Sequence, residues 1–160
     1  MNSIPKFLEH LKTFGEYPVP FVQQWIDGKP DFRVIDPNKV EECVEGKLCA
    51  ICGRKLGEYC WFIGSDECKE AHMFLDAWMH EECAEFASKT CPFVSGKRRD
   101  YSTRPLDESV HNDPHVSAIR PDKMYIFKTR TKKVEVGTHL DSIMFRAGIW
   151  NKITEIVPTE

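Results

Sequence analysis

The chain has 160 residues, of which 41 % are hydrophobic and 11 % aromatic, enough to bury one core of ordinary size and too apolar for a disordered chain. No apolar run approaches the length of a membrane span, and a net charge of −3 excludes a global attraction to nucleic acid. That charge is split: residues 1–90 hold 10 Lys+Arg against 16 Asp+Glu, and residues 91–160 hold 12 against 9.

Ser3 is suited to an N-cap and Pro5 to the first helical turn, and Ile4, Phe7, Leu8, Leu11 and Phe14 keep helical spacing up to Gly15, which predicts a short amphipathic helix. Tyr17-Pro-Val-Pro20 then forces an extended path. Phe21 to Ile26 and Phe32 to Ile35 flank Asp27-Gly28-Lys29-Pro30 and predict a hairpin. Asp36-Pro37 should cap a second helix lined by Val40, Cys43, Val44 and Leu48, with Gly46 near its end and Cys43 in the core. Tyr59-Cys-Trp-Phe-Ile63 has the aromatic and branched side chains of a strand. Helix character resumes at His80, where Cys83, Phe86 and Ala87 form an inward stripe that stops before Pro92. Residues 95–123, with three prolines and many polar groups, suggest a long loop. Met124 to Thr131 and Lys133 to Val136 suggest a second hairpin, and Ile143 to Ile156 one or two more short strands.

Among these elements stand Cys49-Ala-Ile-Cys52-Gly53 and His80-Glu-Glu-Cys83. A Cys-x-x-Cys turn closed by glycine aims two thiolates at one point, and a His and Cys three apart on the first turn of a helix project from one face. The two pairs together suit one tetrahedral Zn2+ site in a treble-clef-like module. Four protein ligands leave no open position, so such a site holds a fold together rather than activating water. Cys60 and Cys68 lie between the half-sites and offer alternative ligands, or a second half-site with His72, but their irregular spacing favours ordinary thiols. Cys91 follows the zinc helix too far along its rise to share the metal. The odd count of seven cysteines, with no basic and apolar leader, leads us to expect a reducing cytoplasm.

Two other groups bear chemistry. His111-Asn-Asp113-Pro-His115 offers two histidines and an Asp that a metal-dependent nuclease would need, although a solvated turn is the favoured reading of such a Pro-bounded segment. Lys97, Arg98 and Arg99, with Lys128, Arg130 and Lys132, are candidate phosphate contacts, and Tyr101, Tyr125 and Phe127 are aromatic neighbours for stacking. On an alternating strand Lys128, Arg130 and Lys132 would share one face and make a local positive stripe, although in a chain that is acidic as a whole the solvated side of that strand is the favoured reading.

Tyr17-Pro-Val-Pro-Phe-Val22, Trp25, Asp27-Gly28, Pro30-Asp-Phe-Arg33, Leu48-Cys49-x-x-Cys52-Gly53-x-x-Leu56-Gly57, Met79-His80-x-x-Cys83-Ala84 and Cys91-Pro92-Phe93 together resemble a family of small proteins of bacteriophages and actinobacterial genomes that has no assigned function. The resemblance spans about residues 15 to 150 and implies the same four metal ligands. The chain departs from it at Gly64-Ser65-Asp66, where the family runs Gly-Pro-Met, and in a tail that ends soon after Trp150.

The expected fold is a single small α+β domain: N-terminal helix, hairpin and helix over 1–47, a zinc module over 48–94, a polar loop over 95–123 and a β region over 124–160. The expected function is a non-catalytic, zinc-stabilised and phage-related binding module acting on a host protein or nucleic acid. The alternative is a nuclease using His111, Asp113 and His115.

Overall fold

The computed structural model describes residues 4–92, 94–96, 121–139 and 141–158. They form a mixed α+β architecture with three α-helices and four small antiparallel sheets. Among them no helix is long and apolar enough to cross a membrane. Lys97, Arg98, Arg99, Tyr101, His111, Asp113, His115 and nearly all of the expected polar loop lie outside the described residues, as does Ser3.

The expected N-terminal helix does not form. Lys6–Leu8 make a single 3-10 turn, and the chain then enters a ribbon of β1 (Thr13–Phe14) and β2 (Tyr17–Pro18). A helix of this length is marginal unless one whole face is packed. Here Leu8 is fully buried while Phe14, meant for the same face, is 45 % exposed.

Strands β3 (Gln23–Ile26) and β4 (Lys29–Ile35) form the expected hairpin, with a turn of only two residues. Asp27 and Gly28 both adopt positive φ, 51° and 78°, as a type I′ turn demands. A register shift beside Gln23 is satisfied by its side-chain amide, which donates to the carbonyls of Asp31 and Val34, each at 2.7 Å. Helix α1 (Pro37–Gly46) begins as expected: the Asp36 carboxylate accepts from the Asn38 N–H at 2.9 Å. Val40 and Cys43 face the core, and the left-handed residue that ends the helix is Lys47 rather than Gly46. Its turn delivers the chain directly into Cys49.

Strand β5 (Tyr59–Ser65) is followed by a short helix α2 (Asp66–Ala71) and β6 (Met73–Phe74), then by α3 (Glu81–Thr90). The last strands are β7 (Met124–Arg130), β8 (Val134–His139), β9 (Ser142–Ala147) and β10 (Lys152–Glu155). They build two three-stranded sheets, ordered β10-β7-β5 and β6-β9-β8. The expected hairpin of β7 with its successor is therefore a misreading. Both edges of β7 are taken, by β5 and β10, and a 3-10 turn at Thr131–Lys133 carries the chain into the other sheet, where β8 pairs with β9.

The core lies between these sheets. Phe62, Phe74, Phe127 and Phe145 contribute one ring each from β5, β6, β7 and β9, all at 1 % exposure or less. Phe62 stacks on Phe74 with centroids 4.4 Å apart, and Trp150 closes on Phe127 at 4.8 Å. Removing any such ring costs about 3–5 kcal/mol, so this cluster fixes how the two sheets sit together.

Candidate metal centre

The first half-site is a hairpin a few residues long. Leu48 and Lys55 form an isolated bridge, the Cys49 N–H donates to the Arg54 carbonyl at 2.8 Å, and the Leu56 N–H donates to Lys47 at 2.8 Å. Between them the Gly53 N–H closes a turn onto the Cys49 carbonyl at 2.9 Å, and Gly53 takes φ +76°. The knuckle is pinned from outside: Phe21 and Val22 donate backbone N–H groups to the carbonyls of Ile51 and Ala50, and His10 Nε2 lies 2.7 Å from the Cys52 carbonyl.

The second half-site is placed by β5. Trp61 and Met79 exchange a pair of backbone hydrogen bonds, at 2.8 and 2.9 Å, which sets His80 immediately beyond as the N-cap residue of α3. Cys83 then falls on the first turn. The ligand atoms of Cys49, Cys52, His80 and Cys83 all lie within 4.8 Å of one another. Four ligands held about 2.3 Å from a tetrahedral ion would be ~3.8 Å apart, so the cluster needs only a small contraction to close on a metal. Cys49 and Cys83 are fully buried and Cys52 is 4 % exposed.

Donor chemistry agrees with this geometry. The Cys49 sulfur accepts backbone N–H groups from Ile51 at 3.4 Å, Cys52 at 3.5 Å and His80 at 3.4 Å, the last crossing from the other half-site. Hydrogen bonds from the Cys52 and Cys83 thiols lower the Cys49 pKa to about 3, aided by the backbone N–H groups of Cys52 and His80 and opposed by burial. The Cys83 thiol moves the opposite way, raised by its hydrogen bonds to Cys49 and Cys52 and then by burial. Crowded thiols thus concentrate negative charge on one sulfur, where a cation would replace the shared protons. His80 presents Nδ1 to the cluster, 3.3 Å from the Cys52 sulfur, and Nε2 lies 3.0 Å from the Lys55 carbonyl. A Cys3His set of this kind can hold a metal ion, and all four expected ligands are brought together.

The other cysteines stand apart. Among the described residues no second group of three His, Cys, Asp or Glu side chains is positioned for a metal. Cys43 is fully buried, its thiol pushed up to about 12 chiefly by burial and secondarily by Cys49. Cys60 is also fully buried at about 12, again through burial. Cys68 accepts from the Ser65 hydroxyl at 3.7 Å, and His72 Nδ1 faces the Ala147 carbonyl at 3.0 Å while its ring stacks on Trp150.

Of the candidate phosphate contacts, Lys128 and Arg130 do share the outer face of β7, but Lys132 lies in the 3-10 turn beyond the strand, so the stripe of three is broken. Phe127 is fully buried and cannot stack on a ligand; Tyr125 donates its hydroxyl to Asp66 at 2.8 Å. The rings that meet the cations come from β5 instead. Lys128 Nζ lies 4.3 Å from the Tyr59 centroid and 5.6 Å from that of Trp61. The Tyr59-Cys-Trp61 alternation was visible as a strand, but its partner strand lies more than 60 residues away and no local signal joins them.

Comparison of the chain with protein-family models, with curated proteins and with solved structures finds no match in any of the three.

Proposed function

We propose that the chain is a non-catalytic binding module, stabilised by one structural Zn2+ at Cys49, Cys52, His80 and Cys83, that acts on a protein or nucleic acid of a host cell. The observation that carries this reading is the closed donor set: four protein ligands, three of them buried cysteines, within 4.8 Å of one another. Thiolate with imidazole in a tetrahedral arrangement favours zinc over the harder divalent ions, and it leaves no position for a substrate or an activated water. A knuckle, a strand leaving it, a return at Met79 and a helix carrying two ligands on its start follow the treble-clef order, which supports that classification. The resemblance to phage and actinobacterial proteins supports a setting in an infected or lysogenic bacterial cell, whose reducing cytoplasm suits seven cysteines that are all free.

Two measurements test it. Elemental analysis of protein purified without chelator should give one zinc per chain, and the loaded protein should capture a partner from host lysate. Plasmid cleavage with Mg2+ or Mn2+ that disappears in His115→Ala would replace the binding module with a nuclease.

A further inference from the structure

We propose that the outer face of the β10-β7-β5 sheet is a binding platform for single-stranded nucleic acid, with Tyr59 and Trp61 stacking on bases and Lys128, Arg130 and Lys152 holding phosphates. The inference rests on the binding-module reading and gives it a ligand. Antiparallel register places these five residues together: Tyr59 stands opposite Arg130, Trp61 opposite Lys128, and Lys128 opposite Lys152. On the inner face of the same strands Cys60, Phe62, Phe127 and Thr129 are at 1 % exposure or less, so strand alternation turns all five to the other face, where Lys152 is exposed, the other four are half-buried and Trp61 also packs in part against the core. The other end of the outer face is covered, Ile63 being 7 % exposed, which confines the platform to the Tyr59 end.

Charge supplies the complementarity. Lys128 and Lys152 are like charges directly opposite each other, an arrangement that weakens a sheet and that an anion between them would relieve. Glu58 opposes them, pairing with Arg130 at 3.1 Å. The rings specify what kind of polyanion fits. Tyr59 and Trp61 have centroids 6.5 Å apart and are tilted by 55°, side by side rather than stacked on each other, so each can take its own base. Paired bases inside a duplex do not expose their faces, and so the platform selects single strands. Lys128 Nζ rests over the Tyr59 ring at 4.3 Å. A base arriving there displaces the ammonium, which exchanges its contact with the ring for one with the incoming phosphate.

The test is fluorescence anisotropy of the zinc-loaded full chain with labelled oligothymidylate, a mixed-sequence single strand and a duplex, at about 50 and 150 mM salt. Single strands should bind more tightly than duplex, with a log–log salt slope of roughly −2 for three phosphates. Tyr59→Ala and Trp61→Ala should each weaken binding roughly five- to hundredfold, and Tyr59→Phe should restore it. Lys152→Glu, on an exposed position of β10, should weaken binding and flatten the salt slope without disturbing the fold. Glu58→Gln, which frees Arg130, should strengthen it. Preference for duplex, affinity unchanged by Tyr59→Ala and Lys152→Glu in folded protein, or no binding at the lower salt would overturn the platform. In the last case capture of a host protein by the zinc-loaded chain would leave the binding-module reading standing, whereas cleavage of the labelled strand would overturn that reading instead.

Discussion

His80 Nε2 lies 3.0 Å from the backbone carbonyl of Lys55, and this contact decides which nitrogen of His80 can serve a metal. A carbonyl accepts and cannot donate, so Nε2 must carry the proton and Nδ1 keeps its lone pair for the cluster. Because Lys55 belongs to the knuckle hairpin, the first half-site orients the ligand of the second. Long-range 15N–1H spectra of the zinc-loaded protein should show His80 as the Nε2–H tautomer, with Nδ1 shifted by coordination. A protonated Nδ1 would remove His80 from the ligand set.

Ligand removal should separate the metal cysteines from the core cysteines. Structural zinc contributes about 10–16 kcal/mol of apparent binding energy, against a typical total stability of 5–15 kcal/mol. Cys52→Ala and Cys83→Ala should therefore lose zinc and unfold the region between the knuckle and α3. Cys43→Ala removes a fully buried side chain outside the cluster, so it should keep one zinc per chain and lose about 1–2 kcal/mol of packing. Circular dichroism melts with zinc quantification check both; zinc retained in Cys83→Ala, or lost in Cys43→Ala, would contradict the assignment.

Gly53 joins the knuckle to the N-terminal segment. At φ +76° it occupies a conformation that L side chains rarely adopt, and an added Cβ would lie 2.9 Å from Phe21 Cδ2. Gly53→Ala should cost about 1–3 kcal/mol through backbone strain and crowding together. Adding Gly53→Ala to a Phe21→Ala background, which lacks the two nearest ring carbons, should cost less by the crowding part alone. Urea midpoints of the single and double variants measure the split, and a neutral Gly53→Ala would mean that the turn relaxes freely.

How much was legible follows from the range over which each signal acts. The four ligands, the Asp36 cap and the Asp27-Gly28 turn declare themselves within a few residues, because ligand geometry, capping and positive φ are local chemistry. The N-terminal segment misled because Ile4, Phe7, Leu8, Leu11 and Phe14 have helical spacing, yet only Leu8 among them is fully buried. Helix α2 went unseen, being six residues with no buried side chain. The fate of β7 was illegible for a different reason: its pairing with β5 spans register partners as distant as Tyr59 and Arg130, and only that pairing turns Phe127 inward and sets Lys128 beside Trp61.

Cys60, outside the Cys3His cluster, yields a pH dependence of its own. Burial raises its thiol from the ordinary 9.0 to about 12, with a hydrogen bond to Thr131 acting the other way. The folded value lies above the unfolded one, so the neutral thiol's contribution is fully present below pH 9 and is lost as pH climbs from 9 through 12. Over that window the wild type should lose stability faster than Cys60→Ala, by up to about 1.4 kcal/mol per pH unit. The cavity left by the substitution shifts the variant by a constant amount, and lysine and tyrosine titration is common to both proteins, so only the difference in slope reports on Cys60. Urea unfolding of both at pH 8, 9.5 and 11 measures it. Parallel curves would mean that Cys60 ionises in the folded protein at its ordinary value, and that its place on the inner face of β5 is open to water.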